Sequence, residues 1–245
     1  MDHIKNMIGV TVVTPSYRHL EKEAIQRFKK FSGIKQVKVI RCKDSNGFHA
    51  KLDIDKHVRR ERVVFFDIDW WMLRHVDFQS WCASTWFAVH DSAVFNEHAF
   101  PHTDCRDFSM NSLMYFNSGF MVFNLALKSH RDVFKRSRLL LRKVQSGSLK
   151  KPTDVTDQFY INLAAQQLRV PVSLTPTKFN FYMKAADWGQ LPFIPRDIVG
   201  IHAAGCTIQE KHRALKVQSE VFGRDIGGLL MPVMAYDQTR IFEFR

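Results

Sequence analysis

Arg62-Val-Val-Phe-Phe-Asp-Ile-Asp-Trp-Trp71 is the stretch on which the reading of this chain turns. Val63 to Phe66 form a continuous apolar run with the length and composition of a buried strand. Asp67 and Asp69 follow where that run should leave its sheet. Residues two apart in a strand point to the same face, so a strand end aims both carboxylates at one point. Two carboxylates held together repel unless a cation lies between them, and a hard divalent ion that prefers oxygen ligands fills that role. A β–α turn with a helix-capping aspartate uses the same letters. The rest of the chain must separate the two readings.

Upstream, Gly9 to Thr14 (Gly-Val-Thr-Val-Val-Thr) is a strand rich in β-branched residues, stopped by Pro15. Leu20, Ala24, Ile25, Phe28 and Phe31 recur at helical spacing over residues 19–31, and Ser32-Gly33 ends that helix. Val37 to Ile40 is a second strand, and residues 49–60 have a helical pattern before the third strand at 63–66. Strand, helix, strand, helix, strand predicts a parallel sheet covered by helices, with ligands beyond the carboxyl ends of its strands. Both the Asp67/Asp69 pair and the Thr14-Pro15-Ser16-Tyr17 turn stand at such ends. Downstream, residues 88–111 mix His, Asp and aromatic residues and have the look of an irregular insertion. Phe120 to Phe123 is a strand entered through Asn117-Ser-Gly119. Residues 130–145 form a basic helix. Thr156 stands at the N-cap position of a helix that continues through Leu168. Pro171, Pro176, Pro192 and Pro195 break residues 170–200 into short pieces, and Val199 to His202 is a last core strand. No repeat or linker divides the chain, so residues 1–245 are expected to be a single domain. Within it the elements fall into two halves, at about residues 8–80 and 81–245.

Composition narrows the classes. The chain has 245 residues, 21 of them Phe, and a formal net charge of +12. No apolar run approaches the ~18 residues of a membrane-spanning helix. The first residues lack the apolar region and small-residue cleavage site of a signal peptide. The four cysteines are scattered, with no CxxC pair, and read as free thiols. A cytoplasmic protein is the expectation, peripheral at a membrane face if its positive charge meets an anionic lipid surface. The positive charge favours polyanionic partners. Between Lys128 and Lys151 nine Lys or Arg residues stand against the single acid Asp132. That is either a functional basic patch or an ordinary solvated helix face.

Four motifs now stand in order: Asp67-Ile-Asp69, Asn117-Ser-Gly119, Asp157-Gln158 and His202-Ala-Ala-Gly205. Over residues 8–205 this order resembles the nucleotide-sugar glycosyltransferases of the GT-A fold, and within them the family 8 (glycogenin and galactosyltransferase-like) pattern. The resemblance implies a Rossmann-like, mostly parallel sheet flanked by helices. It implies a hexosyltransferase-type enzyme that moves a sugar from a UDP-sugar donor to an acceptor hydroxyl. It implies Mn²⁺, or Mg²⁺, held by Asp67, Asp69 and His202. Asn117, Ser118 and Gly119 would line the donor sugar. Asp157 and Gln158 would lie below its ring, near the reacting carbon, as the catalytic pair. Thr14 and Tyr17 would cradle the nucleobase and ribose, and Lys51 would reach the donor. The family follows its H-x-x-G closely with Lys-Pro-Trp, which grips the diphosphate. Here Cys206-Thr-Ile-Gln-Glu-Lys-His-Arg213 stands instead. Lys211 or Arg213 is then the expected phosphate-binding cation, beside Gly205. The pair Trp70-Trp71 either narrows the donor pocket or packs the turn.

Each motif also has a plain structural use: a turn for Asn-Ser-Gly, a helix first turn for Asp157, a core histidine for His202. Three rival functions can be drawn. A zinc site from His90, Asp91, His98, His102, Asp104 and Cys105 fits no standard spacing, and Pro101 interrupts the His98/His102 face. A metal-dependent phosphohydrolase would need a hydroxyl residue soon after Asp67, and Trp70-Trp71 offers none. A non-enzymatic, basic nucleic-acid-binding module would interleave aromatics with its cations, yet the basic stretch contains only Phe134. The charge and the enzyme reading combine if the acceptor is itself anionic, as a glycolipid or a hydroxylated base in DNA would be.

Overall fold

The computed structural model describes residues 7–59, 61–181, 197–204 and 206–222. The first strand, β1 (Met7–Val13), leads through a 3₁₀ turn at Pro15–Tyr17 into α1 (Arg18–Ser32). Leu20, Ala24 and Phe28 form the buried stripe of α1. Gly33, at φ 69°, ends it in the left-handed conformation that glycine adopts at least cost. Phe28 lies so close over β1 that a side chain at Gly9 would meet its ring at 2.5 Å, and it stacks on Phe66 at 4.4 Å between centroids. After β2 (Val37–Arg41), two short helical pieces, α2 (Gly47–Ala50) and α3 (Ile54–His57), carry the chain to β3 (Arg62–Phe66).

Then come β4 (Trp70–Met72), β5 (Trp86–His90), α4 (Phe100–Asp107) and β6 (Phe116–Asn124). The chain continues with α5 (Lys128–Gln145), α6 (Asp157–Gln167), β7 (Val172–Thr175), β8 (Gly200–His202) and α7 (Ile208–Phe222). Six strands form one sheet in the order β2-β1-β3-β6-β5-β7. β1 is parallel to β2 and β3, and β5 is parallel to β7. β6 alone runs antiparallel to both its neighbours. The sheet is therefore Rossmann-like and mostly parallel, flanked by helices, as expected.

The reversed strand matters most for function. Because β6 runs against β3, the start of β6 lies beside the end of β3. Phe66 pairs with Phe120, and Asp67 N donates to Gly119 O at 2.8 Å. Asn117, Ser118 and Gly119 are thus part of β6 and not a turn leading into a shorter strand. Their partners explain the longer strand: Val89 and His90 pair with Asn117 and Phe116. The buried Asn162 of α6 also brackets Phe116, accepting from its N at 2.9 Å and donating to its O at 2.8 Å.

Three further expectations change. Residues 88–111 are not an irregular insertion throughout, since β5 overlaps them and α4 begins with Pro101 in its first turn, where a proline costs no hydrogen bond. Thr156 occupies the N-cap position of α6 but its side chain makes no capping bond. β8 is not a strand of the main sheet. It pairs antiparallel with β4, Trp70 opposite His202, in a two-stranded ribbon. Trp70 forces that geometry. It is fully buried, stacks on Phe120 at 5.1 Å, donates from Nε1 to Phe179 O at 3.0 Å and lies so close to Gly200 that a Cβ there would meet its ring at 2.3 Å. The tryptophan pair packs the turn. Pro192, Pro195 and the residues after Phe222 lie outside the described residues. Among the described residues no helix is long and apolar enough to cross a membrane.

Candidate active site

Three strand ends and one helix start meet at a single edge of the sheet. β3 delivers Asp67 and Asp69, the reversed β6 delivers Asn117 to Gly119, β8 delivers His202, and α6 begins with Asp157 and Gln158. The β4–β8 ribbon locks two of these together. Beyond the Trp70–His202 pair, Ala203 N donates to Asp69 O at 3.0 Å.

His202 points Nε2 at both carboxylates, 3.3 Å from Asp69 Oδ1 and 3.7 Å from Asp67 Oδ2. One ligand atom from each of the three residues lies within 4.8 Å of the others. Around an octahedral divalent ion with ligands near 2.1 Å, neighbouring ligand atoms sit about 3 Å apart. The donor set and its spacing therefore fit one such ion. The histidine ring rests on Gly119, where a Cβ would meet its Cε1 at 2.3 Å. No side chain larger than hydrogen leaves room for the imidazole. Nδ1 of His202 has no hydrogen-bond partner among the described residues.

Lys51 is the buried counter-charge on one side. Its Nζ lies 2.9 Å from Asp67 Oδ1 and 2.9 Å from Asp157 Oδ2, and donates to Ser118 Oγ at 3.2 Å. Ser118 Oγ in turn donates to Asp157 Oδ2 at 2.7 Å. Burial works against the Lys51 charge, but Asp157 and Asp67 outweigh it and hold the ammonium above its ordinary value. On the other side Lys211, from α7, donates to Asp69 Oδ2 and to Ala203 O. Burial pushes the Asp69 carboxyl up, but His202 and Lys211 prevail and hold it well below the usual carboxylate range.

Gln158 is fixed at both ends of its amide. Its Oε1 accepts from Ser118 N at 3.1 Å and its Nε2 donates to Asp91 Oδ2 at 2.8 Å. Asn117 Oδ1 accepts from Gly119 N at 2.9 Å and from Asn180 Nδ2 at 2.8 Å. Asp91 and Asn180 belong to this network, yet no sequence signal assigned them to it. Asp91 is a single acid among aromatics, and Asn180 follows a proline-broken stretch.

Of the other expected site residues, Tyr17 is half-buried with Lys211 Nζ 5.6 Å from the centre of its ring. Burial raises the Tyr17 hydroxyl above its ordinary pKa. Thr14 is buried at the end of β1, its methyl so close to Gly47 that a Cβ there would lie 2.9 Å away. Gly205 lies outside the described residues. The candidate zinc ligands are used otherwise. His90 Nε2 and His102 Nδ1 contact backbone carbonyls of Ser112 and Val94, and Asp104 accepts from Thr153 N and Asp154 N. The Asp67/Asp69/His202 group is the sole candidate metal cluster among the described residues.

No protein-family model and no curated protein matches the chain. Solved structures do. The bifunctional glycosyltransferase WbbM aligns at TM-score 0.59 and 16% identity, over 82% of this chain and 46% of that one, so this chain spans about half the length of WbbM. An LgtC variant with an active-site glutamine changed to glutamate aligns at TM-score 0.60 and 15% identity, over 87% of this chain and 96% of that one. Mouse xyloside xylosyltransferase 1 aligns at TM-score 0.54 and 11% identity, over 81% and 98%. Identities this low speak to architecture only, and on architecture the agreement is extensive: the chain has the GT-A fold found in these glycosyltransferases.

Proposed function

We propose that this chain is a metal-dependent glycosyltransferase, family 8-like, that moves a sugar from a UDP-sugar to an acceptor hydroxyl. The observation that carries the reading is the convergence of Asp67, Asp69 and His202 on one point, directly beside the buried Asp157 and its neighbour Gln158. LgtC, which shares the fold, has been solved with donor and acceptor sugar analogues, which supports sugar transfer as the activity. The carboxylate and imidazole donors suit Mn²⁺ somewhat better than Mg²⁺. A divalent ion held there supplies positive charge to the diphosphate as it departs.

In this reading the glycosidic C–O bond to the diphosphate breaks and its electron pair leaves with the phosphate oxygen. The acceptor oxygen forms the new bond to that carbon and gives up its proton to the departing phosphate oxygen. Residues 8–80 hold the nucleotide, with Thr14 and Tyr17 against the nucleoside. Residues 81–245 supply the sugar side. Asn117, Ser118 and Gly119 line the sugar, Gly119 allowing close approach of backbone. Gln158, pinned by Ser118 and Asp91, presents a fixed amide to the ring, and Asp157, anchored by Lys51, lies near the reacting carbon. Such pre-set dipoles cost no rearrangement when charge develops. Lys211 serves the diphosphate, and Gly205, outside the described residues, is assigned beside it by the His202-Ala-Ala-Gly205 motif. The +12 charge supports an anionic acceptor, a glycolipid or DNA.

The test is calorimetric titration of UDP with Mn²⁺ and then with EDTA, repeated on Asp69→Asn. Metal-dependent binding that is lost in the variant is expected. Folded protein that binds UDP in none of these conditions removes the reading.

A further inference from the structure

Asp69 is divided between two partners. Oδ1 faces His202, while Oδ2 accepts from the ammonium of Lys211, residue 142 positions further along the chain. Both residues are more than nine-tenths buried. Lys211 therefore neutralises, with its own positive charge, the same carboxylate whose Oδ1 faces the cluster that fits a divalent ion. Its second donor is spent on Ala203 O at 2.7 Å. The helix that carries it is pinned at its start. Thr207 N and Oγ1 contact Glu210 Oε2 at 3.2 and 2.7 Å, and Lys211 N donates to Thr207 O at 3.1 Å. The Cα of Lys211 is thus fixed, and only its flexible four-carbon stem can move the charge.

Resting on the glycosyltransferase reading, we infer that Lys211 is a placeholder cation that competes with the divalent ion for Asp69. In the free protein the ammonium compensates Asp69. An incoming ion shares that carboxylate, and repulsion between the two cations moves the ammonium off it toward the diphosphate, in the direction of the nucleoside side where the Tyr17 ring centre lies 5.6 Å from Nζ. Two consequences follow. The ion binds the protein alone weakly, because it must displace a buried charge partner. The nucleoside diphosphate strengthens ion binding, because it offers acceptors to the released ammonium. By linkage the ion strengthens diphosphate binding by the same factor. Lys51 has no such freedom, since its three partners Asp67, Asp157 and Ser118 enclose it.

The test is Mn²⁺ binding in the absence of nucleotide, read as loss of the free-ion paramagnetic resonance signal, in wild type, Lys211→Met and Lys211→Gln. The Mn²⁺ shift of the unfolding midpoint is recorded for each protein. Lys211→Gln keeps a donor for Ala203 O and serves if the apolar variant does not fold. Mn²⁺ affinity is expected to rise on the order of tenfold in the neutral variants, with the UDP enhancement of Mn²⁺ binding reduced by a similar factor. Unchanged or weaker Mn²⁺ affinity in a folded neutral variant overturns the inference, and leaves Lys211 as a phosphate ligand or a structural ion pair. Wild type that binds no Mn²⁺, with or without UDP, brings down the metal-dependent reading itself.

Discussion

Two charged regions of this molecule use the same side chains to opposite ends. At the end of β3, three carboxylates (Asp67, Asp69 and Asp157) are set against two ammoniums, Lys51 and Lys211, and nearly all of them are out of water. On α5 and the following loop, nine cations face solvent or neighbouring backbone. Six of them are already engaged. Lys128 and Lys135 share Asp132, Arg131 holds the carbonyls of Leu125 and Ala126, and Arg136 binds Gln167. Arg138 binds Asp55 and Lys150 binds Asp107. The larger charge count belongs to the surface, and the greater energy belongs to the small cluster, because Coulomb terms grow as water is excluded. Composition therefore points at the wrong region.

The contrast is tested most strongly by cutting one ammonium from each. Lys51→Met strands Asp67 and Asp157 without their counter-charge, and breaking such a buried pair costs about 3–5 kcal/mol. Lys128→Ala on α5 should cost about 0.5 kcal/mol or less, as exposed ion pairs do. Chemical denaturation of both variants reads the difference directly. Equal losses would mean that the site cluster is far better hydrated than its burial indicates.

The next effect has the opposite sign. Asp154 is buried near Asp157 and Asp104, and burial, helped by those neighbours, lifts its carboxyl to about 6. An unfolded aspartate titrates near 4. The fold therefore favours the protonated form, a contribution that is full below about pH 4 and is lost as pH rises through about 6. At neutral pH the charged form is a liability. Asp154→Asn, whose amide oxygen can still accept from Thr156 N as Oδ1 does now at 2.8 Å, should stabilise the protein by about 3 kcal/mol at pH 7.5 and by almost nothing at pH 4. Unfolding midpoints across that range decide it. A gain independent of pH would assign the effect to packing instead of charge.

Gly119→Ala probes the site without altering any charge. The added methyl would overlap the His202 ring at 2.3 Å and press on Asn117 Oδ1 at 2.9 Å. The β4–β8 pairing resists moving His202 away, so an overpacking cost of about 1–3 kcal/mol is expected. Mn²⁺ binding should weaken at least tenfold, roughly the effect of disturbing a ligand's support. Calorimetry with Mn²⁺, alongside a thermal melt, separates the two effects. Unchanged Mn²⁺ affinity would remove His202 from the ligand set.

What was legible in the sequence follows the range of the forces involved. The buried run Val63–Phe66 and its two aspartates are local, and so is the Leu20/Ala24/Phe28 stripe. Pattern alone placed them. The helix start at Asp157 was legible from Thr156 even though the Thr156 side chain makes no capping bond. The reversal of β6 was not legible, because strand direction is set by partners and not by local pattern. Asn-Ser-Gly has turn chemistry, and only the distant Asn162 bracket and the Asp67 amide hold it extended. β8 was legible as a core strand, but its pairing with β4 was not, for the same reason: nothing near Gly200 says that Trp70 needs the space. The position of Lys211 depends on a contact made across 142 residues. The sequence offered it as a phosphate cation and gave no sign that Asp69 holds it.

The smallest expected effect lies on α5. Arg142, Lys143 and Lys151 are exposed, and no partner is seen for them among the described residues. Replacing all three by Ala should leave stability within about 0.5 kcal/mol, as surface changes usually do, and should leave Mn²⁺-dependent UDP binding intact. If the acceptor is DNA, these three are the cations of this stretch left to meet its phosphates. Duplex binding measured near 50 mM salt should then weaken, and the salt slope should fall by about 0.9 for each cation removed. If the wild type binds no duplex even at that salt, DNA is excluded as acceptor while the donor site stands, because the two regions share no residue. Loss of UDP binding in the triple variant would be the more consequential result. It would show that the surface charge reaches the buried cluster, and that the separation argued above between many weak charges and few strong ones does not hold in this protein.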